Sequence, residues 1–319
     1  MLNVKNIAII GTGVIGASWT AFYLSKGFYV YAFDPATDAE TSLKSRVQTY
    51  LLDLKELRQG DEENNKSIKE IMQNLEFCQN LKDAVKNADF IQENGPERID
   101  LKKELYLDIT QSCPVNTIIA SSSSGLKVTE IQNDCLHPER IILGHPFNPP
   151  HLLPLVEIIG GEKTEQSFIE DAFEFYQQLG KKPILIRKEV KGHVANRLQS
   201  AIWREAFYLV SQGVCSAEDI DIAITNGPGL RWSIFGPYLN MELANQNGFK
   251  AAMHHLGGPM TEWWGDMEPF DLSDEKIDYL NDETQKFIQK LEGKNLGFIR
   301  DKALIDILKI KSKLGSVEN

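Results

Sequence analysis

The sequence lacks the features that mark secreted, membrane and nucleic-acid-binding proteins. Its four cysteines, Cys78, Cys113, Cys135 and Cys215, form no C-x-x-C motif and show no metal-ligand spacing. No apolar run approaches the roughly 18 residues that suggest a membrane span, and no signal-peptide pattern is present. The net charge of −11 argues against broad binding to nucleic acid or to an anionic membrane. We therefore expect a cytoplasmic protein with reduced thiols, and neither nucleic acid nor membrane as a partner.

Two further absences narrow the chemistry. The six histidines form no H-E-x-x-H motif and no cysteine-histidine cluster, so no metal site is predicted. The chain also lacks the G-x-S-x-G motif of many serine hydrolases, which leaves nucleophilic hydrolysis poorly supported. What remains is a globular composition, 42% hydrophobic, in a chain of 319 residues that is long enough for two domains.

The most informative stretch runs from Ile7 to Asp34. An apolar strand is followed by glycines at G-x-G-x-x-G spacing, an amphipathic helix and a second apolar strand. The glycines permit a tight turn, close approach of a pyrophosphate, and close packing of helix on strand. The pyrophosphate would lie at the helix N-terminus, where unpaired N–H groups favour negative charge. The predicted cofactor-binding residues of this motif are Gly11, Gly13, Val14, Ile15, Gly16 and Asp34.

Asp34 distinguishes between dinucleotides. A carboxylate at the end of the second strand holds both ribose hydroxyls but repels a 2′-phosphate. The motif therefore favours NAD over NADP, with FAD as the alternative.

Strands alternate with helical segments up to Ile186, which predicts an α/β fold with a doubly wound, mainly parallel sheet of the Rossmann type. Helical signals dominate afterwards. We predict an NAD-binding domain over 1–188 and an all-helical substrate and dimerisation domain over 189–319. Within the latter, residues 194–213 are expected to form a long, largely buried helix, and the glycines and proline at 257–259 are expected to interrupt another.

Three segments between the predicted strands carry candidate polar contacts. Glu97 and Lys102 stand five residues apart at the start of a helix, where both could face a cofactor or form a surface ion pair. Four serines, 121–124, follow an apolar strand, at the sheet edge where ligands collect in open α/β folds. A serine-rich loop without function is the alternative there.

The third segment supplies an acid–base pair. His145 follows a strand, and Glu157 lies within the next apolar strand, where a carboxylate is costly to bury without a partner. His145 is the nearest candidate, across a proline-rich turn. A histidine suits removal of a hydroxyl proton because its unperturbed pKa of about 6.5 lies near working pH. A carboxylate on its other nitrogen fixes the tautomer and stabilises the imidazolium.

Together these motifs resemble the 3-hydroxyacyl-CoA dehydrogenase family over nearly the whole chain. The resemblance rests on GTGVIG, SSSSGL, GHPFNPPHLLPLVEII and KGHVANRL. It implies His145 as general base, Glu157 as its orienting partner, and Ser124 and Asn196 as ligands of the substrate oxygen. It also implies that Glu97 and Lys102 contact the NAD ribose and the cofactor side of the site, and that the protein is a homodimer.

Within that family the chain looks closer to the branch that contains lambda-crystallin and the dehydrogenases of L-gulonate and L-carnitine. The segments ITNGPGLRWSIFGPYLNMELA and GGPMTEWW are most similar to the carnitine-oxidising members. The resemblance implies L-carnitine or a related 3-hydroxy acid as substrate, with a short-chain hydroxyacyl-CoA, L-gulonate or a non-enzymatic NAD-binding role as alternatives. Aromatic faces suit a trimethylammonium group. The candidate substrate contacts are Arg231, for the carboxylate, and Trp232 and Phe235.

Overall fold

The computed structural model describes residues 4–58 and 66–314. Its strands form one sheet. They are β1 (Asn6–Ile10), β2 (Tyr29–Phe33), β3 (Leu75–Phe77), β4 (Phe90–Glu93), β5 (Ile118–Ser121), β6 (Ile141–Pro146), β7 (Leu155–Gly160) and β8 (Lys182–Leu185). Their spatial order is β3-β2-β1-β4-β5-β6-β7-β8. All neighbouring strands pair in parallel except β6 and β7, which are antiparallel.

Helices connect the strands and then continue alone. They are α1 (Val14–Ser25), α2 (Ala39–Leu57), α3 (Ile68–Met72), α4 (Leu81–Val85), α5 (Ile99–Ser112), α6 (Val128–Ile131), α7 (Gln166–Gln178), α8 (Ala195–Ser211), α9 (Ala217–Asn226), α10 (Pro228–Trp232), α11 (Pro237–Glu242), α12 (Gly248–Asp266), α13 (Asp274–Gln289) and α14 (Leu296–Lys313). None of the described helices combines the length and apolar character that a membrane crossing requires.

The chain divides into two compact units. One contains the sheet, runs as far as Arg197 and includes the residues from Gly297 on, whereas the other, Leu198–Leu296, is helical. The change from one unit to the other therefore falls inside α8. The predicted domain boundary at residue 189 remains a proposal.

Apolar layers on both faces of the sheet explain its near-continuous hydrophobic strands. One face packs Trp19, Tyr23 and Phe175 among its core residues, and the other packs Tyr106 and Ile109. Parallel strands buried on both faces are typical of α/β proteins. The predicted doubly wound sheet followed by helices is confirmed.

The strand directions bring the candidate site together. The carboxyl ends of β1, β4, β5 and β6 meet at one edge of the sheet because these strands are parallel. β7 runs the other way, and its residue Glu157 is in register with His145 of β6. A cross-strand pair of this kind places two side chains side by side on one face.

Two predictions for the helical part are wrong. Val210 is the one buried residue of α8, and Leu198 and Trp203 are at least half exposed, so this helix is not largely buried. Hydrophobic periodicity identifies the apolar face of a helix but not what covers it. In addition, α12 continues through Pro259 instead of ending there. A proline removes one backbone hydrogen bond, which the other bonds of this long helix tolerate.

Candidate active site

In the glycine turn, neighbouring atoms leave no room for a side chain at two of the glycines, whereas the third faces open space. Gly11 has a φ of +83°, and a Cβ at Gly16 would lie 1.9 Å from the carbonyl oxygen of Gly11. Both must be glycine for the turn and the helix to meet. A Cβ at Gly13 would find no atom within 4 Å. Gly13 caps α1, so open space lies at the N-terminus of a helix, as a bound pyrophosphate requires. Val14, which is half exposed, and Ile15, which is half-buried, form the first turn of α1.

Asp34 is held rigidly just after β2. Its Oδ2 accepts hydrogen bonds from Thr12, at 2.7 Å from the backbone N and 3.2 Å from Oγ1. Its Oδ1 accepts one from the backbone N of Ala36 at 3.0 Å. The carboxylate therefore lies beside the glycine turn, and its position fits a ribose whose pyrophosphate is bound at α1.

Lys102 is buried, and it pairs with Glu93 rather than with Glu97. Its Nζ lies 2.7 and 2.9 Å from the two carboxylate oxygens of Glu93, at the end of β4. Tyr106 and Ser121 also donate to Glu93 Oε2, at 2.9 and 3.0 Å. The surface ion pair between Glu97 and Lys102 that their spacing suggested is therefore not formed. The signal that sequence reasoning missed is a glutamate that ends a buried strand.

Glu97 instead organises the serine loop. Its Oε1 accepts hydrogen bonds from Ser123 Oγ at 2.6 Å and from the backbone N of Gly125 at 2.8 Å. Ser124 is exposed, and its carbonyl oxygen accepts a hydrogen bond from the Asn196 side chain at 3.1 Å. The structure thus brings Glu97, the serine loop and Asn196 together at the edge of the sheet.

His145 and Glu157 are in direct contact. His145 Nδ1 lies 2.7 Å from Glu157 Oε2, and the two residues are 5% and 0% exposed. Nε2 of the same ring bonds to no residue in the described part of the chain. Because a carboxylate only accepts, Nδ1 carries the proton and Nε2 presents a lone pair. A histidine held in this way is able to accept a proton at Nε2.

The N-terminus of α8 holds the second oxygen of Glu157. The backbone N–H groups of Val194 and Ala195 both donate to Oε1 at 2.9 Å. Burial raises the pKa of the Glu157 carboxyl, but the hydrogen bonds from His145, Ala195 and Val194 outweigh burial and lower the pKa below its ordinary value. Glu157 therefore remains ionised beside His145.

A second imidazole, which sequence reasoning did not single out, lies next to His145. The ring centroids of His145 and His193 are 5.3 Å apart, and His193 is 3% exposed. Phe147 also contacts His145, with its ring centroid at 5.5 Å in an edge-to-face arrangement. Both residues lie in segments that carry the family resemblance, Phe147 in GHPFNPPHLLPLVEII and His193 in KGHVANRL, but the resemblance implied no role for either.

The three predicted substrate contacts belong to the helical unit. Arg231 and Trp232 end α10, and both are exposed, Trp232 by 40%. Phe235 is half-buried, and its backbone N donates to the carbonyl oxygen of Arg231 at 3.0 Å. The three residues are therefore close in one short segment.

Comparisons with known proteins agree with this description. A model of the 3-hydroxyacyl-CoA dehydrogenase NAD binding domain matches residues 6–190, and one of the C-terminal domain of that family matches 192–275. The L-carnitine dehydrogenase of Nocardiopsis dassonvillei is 38% identical over 316 residues, covering 99% of this chain and 94% of its own. A 3-hydroxyacyl-CoA dehydrogenase of Gibberella moniliformis is 38% identical over 320 residues, covering 98% and 97%.

A solved structure shares the fold over the same length. It is that of 5-formyl-3-hydroxy-2-methylpyridine 4-carboxylic acid 5-dehydrogenase, described as an NAD⁺-dependent dismutase. It superposes with a TM-score of 0.80 at 28% identity, covering 97% of this chain and 99% of its own. The chain therefore belongs to the 3-hydroxyacyl-CoA dehydrogenase family and is an NAD-dependent 3-hydroxy dehydrogenase.

Proposed function

We propose that this protein oxidises the 3-hydroxyl of L-carnitine to give 3-dehydrocarnitine. The observation that carries the proposal is the buried His145–Glu157 pair, in which Nδ1 is bound and Nε2 is left for a substrate. The names of several relatives, at 37–40% identity, supply the substrate. A cytoplasmic location remains part of the prediction.

In this mechanism the chain moves a proton. His145 Nε2 accepts the proton of the 3-hydroxyl, while Glu157 keeps Nδ1 protonated and stabilises the imidazolium that results. Bound NAD supplies the hydride acceptor. The Ser124 and Asn196 side chains hydrogen-bond the substrate oxygen and so orient its proton toward Nε2.

The cofactor-side residues divide by role. The backbone at Gly13 and the first turn of α1 hold the pyrophosphate, and Asp34 holds a ribose. Glu97 contacts a ribose next to the serine loop that it organises. Lys102 acts from the cofactor side through the segment after β4, since its Nζ also donates to the carbonyl oxygen of Gly95 at 3.3 Å.

The local charge suits a cationic substrate. Glu157 places a negative charge across the His145 ring from the reacting hydroxyl, and one methylene carbon separates the 3-carbon of carnitine from its trimethylammonium group. The cation must therefore lie close to His145. We assign the aromatic contact for this cation to Phe147, whose ring centroid lies 5.5 Å from that of His145, because cation–π attraction operates within about 6 Å of a ring centroid.

The substrate carboxylate requires a cation. We assign it to Arg231, and we assign the further aromatic contacts to Trp232 and Phe235. Changing Arg231 to Met should raise the KM for L-carnitine at least about tenfold, the loss expected when a charge-assisted hydrogen bond is removed. Arg300→Met, which removes an exposed arginine paired with its neighbour Asp301, serves as the control. An unchanged KM in Arg231→Met would remove the anchor from the proposal.

The substrate is tested by a panel. NADH formation at 340 nm and alkaline pH is followed with L-carnitine, D-carnitine, L-gulonate and 3-hydroxybutyryl-CoA. Turnover with L-carnitine alone is the expected result. Turnover with a different member, and none with L-carnitine, would keep the acid–base pair and refute the carnitine assignment.

We further propose that the protein is a homodimer that pairs through its helical unit. Four helices of that unit, α9, α10, α11 and α13, contain no buried residue, and Trp263 and Trp264 are 61% and 57% exposed. Apolar exposure on this scale marks an association surface. Light scattering after gel filtration should give twice the mass of one chain, and the mass of a single chain would contradict the proposal.

A further inference from the structure

Gln92 places an amide side chain inside a buried strand. It lies in β4 and has an exposed fraction of 0%. A buried amide costs free energy unless its donors and its acceptor are paired. Four of the hydrogen bonds of this side chain have lengths of 2.6 to 3.2 Å, two through its oxygen and two through its nitrogen. The amide is therefore fully bonded, and its partners come from four different segments of the chain.

The partners fix which way the Gln92 amide points. Its Oε1 accepts hydrogen bonds from the hydroxyl of Tyr23, on α1, at 3.2 Å and from that of Tyr176, on α7, at 2.6 Å. Burial raises the pKa of both phenols, so they stay protonated and donate. The amide Nε2 donates to the carbonyl oxygen of Gly144 at 3.2 Å and to Ser122 Oγ at 2.8 Å. A carbonyl oxygen only accepts, so the nitrogen must face β6 and the serine loop.

The hydrogen bonds continue from Ser122 to the glycine turn. Ser122 Oγ accepts from Gln92, and its own proton is donated to Asn94 Oδ1 at 2.7 Å. The Asn94 side-chain nitrogen donates to the carbonyl oxygen of Gln92 at 2.9 Å. A Cβ at Gly11 would lie 2.7 Å from the Asn94 carbonyl group, and a Cβ at Gly16 would lie 3.4 Å from Asn94 Nδ2. The network therefore ends on a residue that packs directly against the glycine turn.

The bond to Gly144 supports β6 where its pairing with β5 has ended. The parallel pairs of β5 and β6 run as far as Ser121 and Leu143. Gly144 and His145 are the next two residues of β6, and they pair with β7 on the other side. The Gln92 side chain reaches from β4 across to Gly144. It therefore holds the strand at the residue immediately before the proposed base.

We propose that Gln92 and Ser122 are positioning residues, which set the base and the serine loop relative to the cofactor. This inference rests on the proposed roles of His145 as base and of Ser124 as a ligand of the substrate oxygen. One amide nitrogen holds both the residue before His145 and the serine two positions before Ser124. The proton leaves the hydroxyl and the hydride leaves the carbon that bears it, so these groups and the cofactor must be aligned together. A misplacement of about 1 Å can lower a rate about 100-fold.

The test compares two substitutions that each remove one hydrogen bond from the Gln92 amide. Ser122→Ala removes the acceptor on the side of the site, and Tyr176→Phe, the matched control, removes a donor on the side of the core. The first turnover is followed as NADH absorbance after rapid mixing of NAD-saturated enzyme with substrate. We expect it to slow roughly 10-fold in Ser122→Ala. It should match the wild type in Tyr176→Phe, although both variants have a lower melting temperature, and NADH binding should be unchanged in both.

Two further measurements separate positioning from damage to the acid–base pair. Gln92→Met removes the whole amide at a similar side-chain length, and it should slow the first turnover at least as much as Ser122→Ala. None of these substitutions removes the bond between His145 and Glu157. The rate in Ser122→Ala should therefore fall by the same factor at every pH, so that the pH profile keeps its midpoint.

Three outcomes would overturn the proposal. The first is a wild-type first turnover in Ser122→Ala or in a folded Gln92→Met variant. The second is equal slowing in Tyr176→Phe, which would indicate a general loss of rigidity. The third is a shifted midpoint of the pH profile in Ser122→Ala, which would show that the acid–base pair itself was disturbed.

The comparison of Ser122→Ala with Tyr176→Phe decides the question alone if Gln92→Met does not fold. Failure of L-carnitine in the substrate panel would be a separate result, because any substrate that the enzyme oxidises serves for this test. Failure of His145 as the base would be seen in His145→Gln, which leaves the Gln92 network intact.

Discussion

Two buried pairs of side chains, each containing a glutamate, lie at the edge of the same sheet, and they differ in one respect. Glu93 and Lys102 are both almost completely buried, and Glu93 also accepts hydrogen bonds from the Tyr106 and Ser121 hydroxyls. Glu157 and His145 are buried to a similar degree, and Glu157 is also fully engaged. Among the described residues, His145 Nε2 has no hydrogen-bond partner, so the second pair keeps one unpaired ring nitrogen, whereas the first pair is fully bonded.

We interpret this difference as that between a pair that stabilises the fold and a pair that takes part in the proposed reaction. A buried charge that is fully paired fixes the surrounding backbone, and its removal leaves its partner uncompensated. A pair with one open lone pair can take up a proton and return it. The contrast predicts loss of stability from changes to the first pair and loss of turnover from changes to the second.

The largest effect is expected from Lys102→Met. It leaves the Glu93 carboxylate buried without its cation, which should lower the free energy of unfolding by about 3–5 kcal/mol in denaturant titrations. Lys103→Met is the neighbouring control. Lys103 is partly exposed and lies 3.7 Å from Asp134, so its loss should cost at most about 0.5 kcal/mol. Equal stability of the two variants would mean that the Glu93–Lys102 pair does not stabilise the fold.

The second prediction concerns the His145–Glu157 pair. His145→Gln removes the base but keeps a polar side chain of similar reach, so turnover should fall roughly 100-fold or more while NADH binding stays near normal. Fluorescence titration with NADH and steady-state assays measure the two separately. His137→Gln, at an exposed site, should change neither. Near-normal turnover in His145→Gln would remove His145 from the role of base.

The glycine turn allows the same comparison without charged groups, between a position needed for stability and a position needed for cofactor binding. Gly16→Ala would place a methyl group against the Gly11 carbonyl oxygen, so we expect a loss of about 1–3 kcal/mol in stability. Gly13→Ala meets no protein atom and should leave the unfolding curve unchanged while it weakens NADH binding. Tight NADH binding in a stable Gly13→Ala variant would show that the open space is not the pyrophosphate site.

The smallest expected effect is on how the free energy of unfolding changes with pH in acid. The native pKa of Glu157 is below its ordinary value of 4.5, so its contribution to stability is present above that pH and is lost as pH falls through the native pKa. The free energy of unfolding of Glu157→Gln should therefore decline less steeply below about pH 4.5 than that of the wild type. Glu162→Gln, an exposed change, should keep the wild-type slope. A Glu157→Gln curve parallel to the wild type would contradict the lowered pKa.

The sequence was sufficient for features that depend on local geometry. Apolar runs and glycine spacing predicted the strands and the turn because backbone conformation and side-chain alternation are local properties. The contact of His145 with Glu157 could be predicted for a related reason, since the two residues lie on consecutive strands joined by a short turn. A buried carboxylate there needs a partner, and one candidate was near.

Features set by packing were not predicted. The spacing of Glu97 and Lys102 gave no sign that Glu93, on a strand, would take the lysine. His193 belongs to KGHVANRL, but nothing in that motif indicated that its ring would pack beside His145 of β6. The burial of α8 was wrongly predicted because an apolar stripe does not specify its partner.

The central claim is that His145 and Glu157 act as one catalytic unit. It is tested most directly by kcat/KM for NADH formation in His145→Gln, Glu157→Gln and the double variant. In Glu157→Gln the amide would donate to Nδ1 and force the proton onto Nε2, so the base would be lost although the histidine remains. We predict similar losses, roughly 100-fold or more, in all three variants, because residues that act as a unit are not additive. A double variant that loses the product of the two single effects would show that the residues act independently and would contradict the account.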